Sequence, residues 1–220
     1  MPVEPLMRFR VLQLVLSCVV LGAGVALLLD AALGSDGYSS LVSGLSLATG
    51  VSFALVNIAI GVALIALAWS RGTRPGLGTL VQPVVVGVAV GLMLPVLPSP
   101  EGLALRFAEL AAAFILLTLG VAGYLATRTG AGPAEAAALA FDPPLAFRWS
   151  YTVLQAGGAL GGWALGAAVG PGTVITALLV GPAVDLTTRT VFRGWGARAR
   201  PSSWPTGPAD LSAAGGRRSR

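Results

Sequence analysis

Two distant stretches of this chain share one spaced pattern of residues. Trp69 and Trp163 are each followed by Gly at +7, Gly at +9, Thr at +10 and Gly at +18. Each copy lies between two long apolar segments. Agreement at five fixed positions indicates an internal duplication, and a repeat of this length constrains the whole fold because each copy must form the same structural unit.

The composition places this duplicated unit in a membrane. The chain has 220 residues, of which 55% are hydrophobic and only 10% are charged, whereas a soluble domain carries about 25% charged residues. So few charges cannot cover a water-exposed surface, so we expect a membrane protein. The 30 glycines and 15 prolines agree with that class, because both are more frequent in transmembrane helices.

The net charge of +5 does not predict a nucleic-acid partner, because the arginines are confined to the chain ends and the inter-helix loops. The chain has no histidine and a single cysteine, Cys18, within an apolar run. These counts exclude a disulfide within the chain and a cysteine-cluster metal site. We therefore expect no metal and no cofactor.

The apolar pattern predicts an all-α transmembrane protein, a six-helix bundle built from two inverted three-helix repeats with short non-spanning helices. The predicted spans are 11–29, 51–69, 80–97, 106–126, 149–168 and 174–192, and the short helices are 35–48 and 133–141. The chain then divides into a cytoplasmic N-terminus at 1–10, repeat 1 at 11–97, repeat 2 at 106–192 and a disordered cytoplasmic tail at 193–220. The first apolar run is longer than that of a signal peptide, so we expect it to be retained.

The loop arginines predict the orientation. In a six-span arrangement, four groups fall on one side: Arg8 and Arg10, Arg71 and Arg74, Arg128 and Arg148, and Arg189, Arg193, Arg198 and Arg200. The positive-inside rule therefore places both termini in the cytoplasm. Each repeat has an odd number of spans, so the two repeats are expected to be inverted. The turn at 76–79 should then face the cytoplasm and the turn at 170–173 the outside.

Glycine motifs in both halves carry a family resemblance. They are Leu21-Gly-Ala-Gly24, Ala32-Leu-Gly34, Gly44-Leu-Ser46, Gly76-Leu-Gly-Thr79, Thr129-Gly-Ala-Gly-Pro133, Gly170-Pro-Gly-Thr173 and Gly181-Pro182. In this order and spacing the chain resembles the YczE/YyaS/YitT family of bacterial membrane proteins, most closely its YczE-like branch. The resemblance implies a multi-pass plasma-membrane protein and supplies no activity or catalytic residues. The chain departs from the family pattern at Ser35-Asp-Gly37, where Pro-Trp-Asp is usual, and at Ala134-Glu135, where Arg-Asp is usual.

Asn57 and Gln155 are amides at similar places in the two halves. Amides in lipid need partners, and a polar pair at the interface of inverted repeats is typical of a transporter's solute site. An interhelical hydrogen bond that fixes packing explains them equally well. The short helices, with Asp36 and Glu135 near their starts, indicate either a polar cavity between the repeats or amphipathic helices lying at the membrane surface.

The two turns, with Gly78 and Thr79 in one and Gly172 and Thr173 in the other, are further candidates for binding, because glycines admit a ligand to the backbone. The alternative is a pair of tight turns with the threonines as helix N-caps. Asp185, deep in the last span, is a candidate for ion or proton coupling. Its alternative is an ion pair with Arg189, one turn further along the helix.

These features favour a small-molecule transporter or permease. The alternative is an accessory or assembly protein that holds partners in the membrane, favoured by the glycine-rich fifth span. An enzyme is not expected, because the sequence offers no histidine, no accessible thiol and no adjacent carboxylates. The expected partners are the lipid bilayer, an unidentified small solute and, as an option, a second copy of the chain.

Overall fold

Eight α-helices make up the described part of the chain, and no strand occurs there. The structure, a computed structural model, describes residues 4–141, 144–145 and 147–192. The helices are α1 (Glu4–Asp30), α2 (Gly37–Thr49), α3 (Phe53–Ser70), α4 (Leu77–Met93, continued by a 3-10 turn at Leu94–Val96), α5 (Leu103–Ala126), α6 (Pro133–Leu139), α7 (Phe147–Ala164) and α8 (Pro171–Thr190). The all-α class predicted from the sequence is therefore confirmed. The tail at 193–220 lies outside the described residues.

Five of the described helices are long and apolar enough to cross a membrane, namely α1, α3, α4, α5 and α8. A helix of 18 or more apolar residues matches the thickness of a bilayer's hydrocarbon core. These helices indicate a membrane protein, as the composition predicts. They coincide with five of the six spans predicted from the sequence.

The remaining predicted span corresponds to α7, which is long enough, at 18 residues, but less apolar. Four glycines, Arg148 and Gln155 dilute its hydrophobicity. The penultimate residue of both α3 and α7 is a tryptophan that is 65% exposed, Trp69 and Trp163 respectively. Tryptophan at a helix end is typical of the membrane–water interface.

The two short helices form where the sequence predicts them. Asp36 is the N-cap of α2, and its carboxylate accepts a hydrogen bond from the backbone N–H of Ser39 at 3.1 Å, which satisfies one of the free N–H groups of the first turn. Pro133 opens α6, and Glu135 lies in its first turn. A proline at that position costs no hydrogen bond. Neither helix is long enough to cross a bilayer.

The core forms where α1 crosses α5, and buried apolar side chains from both helices fill this contact. Two glycines let the backbones approach. A Cβ atom at Gly24 would lie 2.7 Å from the backbone nitrogen of Leu117, and one at Gly120 would lie 2.6 Å from that of Leu21. Small residues at close helix crossings are the usual packing device in membranes. Around this pair, α4 packs on α1, α8 on α5, α2 on α7, and α3 on α4 and α6.

The expectation that Thr79 and Thr173 are N-caps is wrong. The N-caps are Gly76 and Gly170, and both threonines lie at the third helical position. Each hydroxyl reaches back to accept the N–H of its capping glycine, at 3.2 Å for Thr79 and 3.4 Å for Thr173. The helices therefore begin three residues earlier than the sequence suggests, because the glycine N–H can be satisfied from within the first turn.

Candidate functional site

Eight polar side chains approach one another where the short helices α2 and α6 meet the long ones. We call this set the polar cluster: Asp36, Tyr38, Asn57, Gln82, Tyr124, Glu135, Tyr151 and Gln155. It includes all three tyrosines of the chain. Polar groups are costly in an apolar environment without partners, and hydrogen bonds link several members of the cluster to one another or to nearby backbone.

Tyr38, near the start of α2, forms hydrogen bonds with both residues whose amides the sequence singles out, Asn57 and Gln155. Its backbone N–H donates to Gln155 Oε1 at 2.9 Å, and its hydroxyl donates to the backbone carbonyl of Asn57 at 3.2 Å. Gln155 Nε2 in turn donates to Tyr151 Oη at 3.0 Å, one turn earlier on α7. The close approach of α2 to α7 at this point requires Gly37, because the absence of a side chain there leaves room for the backbone of Gln155.

Asn57 is 1% exposed, and its Nδ2 donates to the carbonyl of Pro83 on α4 at 2.6 Å. This is the interhelical bond that the packing interpretation of Asn57 expects. Counted back from the repeated tryptophans, Asn57 matches Tyr151 rather than Gln155, which lies one helical turn further along. The pairing of Asn57 with Gln155 is therefore offset by one turn, and the phenol of Tyr151 is the equivalent group.

Glu135 faces the other part of the cluster. A Cβ atom at Gly132 would lie 2.5 Å from Glu135 Oε2, 3.1 Å from Gln82 Nε2 and 3.2 Å from Tyr124 Oη. These three groups therefore surround one point at the start of α6. Gly132 is the N-cap of α6, so the glutamate occupies space that a larger capping residue would fill.

The two carboxyl groups, Asp36 and Glu135, are close enough to influence each other. Burial raises the pKa of Glu135, and the negative charge of Asp36 raises it further, while its own backbone N–H and the nearby Tyr124 hydroxyl oppose this shift. Burial likewise raises the pKa of Asp36, against the hydrogen bonds from Ser39. The pKa of Tyr38 is raised first by burial and then by the charges of both carboxylates. The cluster therefore favours the protonated, neutral carboxyl forms.

The two glycine-threonine turns lie beside the loops that lead into the short helices. Gly78 N donates to the carbonyl of Thr129 at 3.0 Å, and Gly172 N donates to the carbonyl of Leu33 at 2.8 Å. The threonine hydroxyls also face glycines of those loops. Thr79 Oγ1 would lie 2.7 Å from a Cβ atom at Gly130, and Thr173 Oγ1 would meet one at Gly34. The turns thus hold the chain segments that precede Glu135 and Asp36.

The structure brings Asp36, Asn57, Glu135 and Gln155 together and places Gly78, Thr79, Gly172 and Thr173 in supporting positions behind them. Asp185 lies within α8, but its side chain is outside the described residues. The predicted role of Asp185 in ion or proton coupling therefore stays a prediction.

Sequence reasoning missed Tyr38, Gln82, Tyr124 and Tyr151. One signal was present: each of the three tyrosines brings a hydroxyl into a largely apolar chain. Buried tyrosines usually find a polar partner. Their convergence still depends on packing between α2, α5, α6 and α7, which no local pattern reveals.

Two surface clefts lie beside α2, and neither is lined by a member of the polar cluster. One, of about 410 Å³, lies between α2 and α3 and has an apolar lining. The other, of about 440 Å³, is more polar and includes Asp30, Ser35 and Ala167. It reaches the residue directly before Asp36 and therefore approaches the cluster most closely along the chain.

An uncharacterized protein of Haemophilus influenzae is 28% identical over 178 residues, which are 79% of this chain and 81% of the relative. No solved structure matches the chain. The model of a family of unknown function, DUF6198, matches residues 8–189. The chain therefore belongs to the DUF6198 family.

Proposed function

We propose that this protein is a membrane transporter or permease that binds a small polar solute at the polar cluster. The observation that carries the proposal is the meeting of eight polar side chains in a largely apolar chain. Polar groups within membrane helices are costly, and they commonly mark solute or ion pathways. Amides, carboxyls and phenols together offer donors and acceptors, the groups that orient a polar solute.

In this proposal Asp36, Glu135 and Gln155 contact the solute, and Asn57 holds α3 against α4 beside them. Gly78, Thr79, Gly172 and Thr173 act indirectly, by positioning the loops before α2 and α6. The more polar cleft at Ser35 is the route by which a solute reaches Asp36. Transport would require α2 or α6 to move, since both are short and lie between longer helices.

The proposed architecture is six spans in two inverted repeats, with α7 as the sixth spanning helix. Reciprocal contacts support this symmetry. Gly24 approaches Leu117 and Gly120 approaches Leu21, and the same spacing in the chain separates Gly24 from Gly120 and Leu21 from Leu117. The hydrogen bonds of Gly78 with Thr129 and of Gly172 with Leu33 form a second reciprocal pair.

The proposed location is the plasma membrane, with both termini in the cytoplasm. The support is the distribution of loop arginines under the positive-inside rule, together with the sequence resemblance to the YczE/YyaS/YitT family. That naming, and the expectation that the protein is not an enzyme, remain predictions.

The second candidate function is that of an accessory or assembly protein. This function is favoured by the exposure of α8. Only 12% of the apolar stretch of α8 is buried, against 33–44% in the other four apolar helices. A face this open could hold a partner helix or a second copy. The glycines of α7 support it less than the sequence suggested, because Gly158 and Gly162 pack on α2 within the chain.

The test of transport uses purified protein in proteoliposomes and a panel of small polar solutes that includes amino acids, amines and sugars. We expect at least one solute to move. Gln155→Ala and Asn57→Ala should each abolish the flux without loss of expression or membrane insertion. The matched control is Gly157→Ala, because this glycine is two residues from Gln155 on α7 and has nothing within 4 Å of a Cβ atom.

Two outcomes count against the proposal. If both alanine variants carry the solute as the wild type does, the site assignment is wrong. If no panel solute moves while the purified protein forms a stable dimer or retains a partner membrane protein, the accessory function replaces transport.

A further inference from the structure

The hydroxyl of Tyr124 is a buried polar group without a hydrogen-bond partner among the described residues. Tyr124 is 1% exposed, so its hydroxyl is shielded from bulk solvent. Leaving a buried hydroxyl unpaired is energetically unfavourable, because the group loses its hydrogen bonds to water. Such a group is rare in native structures and calls for a functional or structural explanation.

The group that Tyr124 faces is Glu135. Both Tyr124 Oη and Glu135 Oε2 lie close to Gly132, within 3.2 Å and 2.5 Å of the position that its Cβ would take. Gln82 Nε2 lies by the same point at 3.1 Å. The hydroxyl and the carboxyl group therefore border the same small space, and the phenol opposes the rise that burial causes in the pKa of Glu135.

Among the residues whose side chains the structure describes, the titratable groups that act on Glu135 or are acted on by it can be named by element. The α2 segment contributes Asp36 and Tyr38, α5 contributes Tyr124, and α7 contributes Tyr151. The helices α3 and α4 carry no ionisable residue. Arg71, which follows α3, stacks on Phe141 with its guanidinium carbon 4.2 Å from the ring centre, beyond the C-terminal end of α6.

Among the described residues, Asp36 is the acidic side chain whose charge acts on Glu135, and burial disfavours the charged form of Glu135. Both conditions favour uptake of a proton. When the proton leaves, the resulting anion requires a donor, and an unpaired phenol is poised to supply one. The phenol is then unpaired while Glu135 is protonated and gains an acceptor once the proton has left.

We propose that Glu135 is the proton-binding group of the polar cluster and that Tyr124 Oη donates a hydrogen bond to its carboxylate once the proton has left. This rests on the proposed transport function, in which solute movement is coupled to the proton. The O–H bond of the Glu135 carboxyl breaks, and the proton passes to water or to the solute. The phenol of Tyr124 keeps its own proton throughout and only reorients it.

The test is infrared spectroscopy of the purified full-length protein, titrated with pH, which follows the carbonyl stretch of protonated carboxyl groups. The probe is the proton itself. In the wild type we expect carboxyl signals that titrate above the ordinary glutamate value of about 4.3, and Glu135 should account for one of them. Glu135→Gln should remove this signal. Two further variants, which keep Glu135, should move the midpoint of its titration in opposite directions.

Tyr124→Phe removes the donor to the carboxylate and should raise the midpoint by about 1 pH unit, whereas Asp36→Asn removes the neighbouring charge and should lower it by a similar amount. A merely structural role for Tyr124 gives no such opposed pair of shifts. Size-exclusion chromatography and helical circular dichroism establish that each variant is folded. The inference is overturned if the signal survives in Glu135→Gln, or if the two variants leave the midpoint unchanged or move it in the same direction.

The outcome is separable from that of the transport proposal. If Gln155→Ala abolishes flux while Glu135 fails to titrate as described, transport stands without this proton site. If the opposed shifts occur and no solute moves, the proton site stands and the transport proposal fails.

Discussion

At the scale of single residues, two positions require glycine because of their backbone conformation and their close contacts. Gly34 and Gly130 have φ angles of +99° and +138°, a region that L residues rarely occupy. Each also faces the hydroxyl of a threonine at the start of a long helix, Thr173 and Thr79 respectively. The two positions therefore combine backbone conformation with close contact, which explains why glycine and threonine recur together in both halves of the sequence.

Gly34→Ala should destabilise the protein by about 3 kcal/mol, because a strained φ of about 1–2 kcal/mol adds to a steric clash of about 1–3 kcal/mol. The matched control is Gly50→Ala, since Gly50 has a φ of +71° but nothing within 4 Å. It should cost only the backbone strain. Unfolding in detergent, followed by circular dichroism, measures the loss of stability in each variant. Equal losses in Gly34→Ala and Gly50→Ala would show that the Thr173 contact has no energetic role.

At the scale of elements, the contact between α2 and α7 depends on which face of α7 carries glycine. A Cβ atom at Gly158 would meet the backbone of Gly37, whereas one at Gly157 would meet nothing within 4 Å. We expect Gly158→Ala to lose about 1–3 kcal/mol of stability through overpacking. Gly157→Ala should gain up to about 1 kcal/mol through its helix propensity.

Unfolding in detergent again compares the two variants. The two substitutions are chemically identical and at adjacent positions, so any general effect of alanine on the helix is the same in both variants. A difference in stability therefore reports the contact with α2. Similar stabilities for the two variants would contradict the described packing of α2 on α7.

Much of this element-level structure could be predicted from the sequence, since apolar run length and glycine or proline breaks locate the helices to within about four residues. The exception is the start of α1, which lies at Glu4 and so seven residues before the predicted span. The starts of α4 and α8 were predicted three residues too late. A threonine near a helix start can be the N-cap itself, or it can lie in the first turn and accept the N–H of an earlier N-cap, and the sequence alone does not distinguish the two. The links of Tyr38 with Asn57 and Gln155 could not be predicted. They join residues on three different helices, and their geometry follows from helix packing rather than from any local pattern.

At the scale of the whole molecule, the proposed inverted topology makes a prediction about two equivalent turns. Arg74 lies between α3 and α4, Ala168 lies between α7 and α8, and both residues are exposed. In a Cys18→Ala background, Ala168→Cys should react with a membrane-impermeant thiol reagent on intact cells. Arg74→Cys should react only in inverted vesicles. Glu101→Cys, in an exposed loop, is the control for the outer face.

If α7 does not cross the membrane, the outcome differs. Ala168→Cys would then react from the same side as Arg74→Cys, and the six-span arrangement would be replaced by five spans. The result thus decides the role of the one predicted span whose apolarity is low.

The central claim is that the polar cluster is a site that solutes reach from water, and thiol accessibility tests it most directly. In the Cys18→Ala background, Glu135→Cys and Gln155→Cys should react with a small water-soluble thiol reagent, since both positions are only partly buried. Leu117→Cys, at a position that is 5% exposed in the contact of α1 with α5, should not react. Absence of reaction at both cluster positions, in cells and in inverted vesicles, would show that the cluster is a packing core and would contradict the claim.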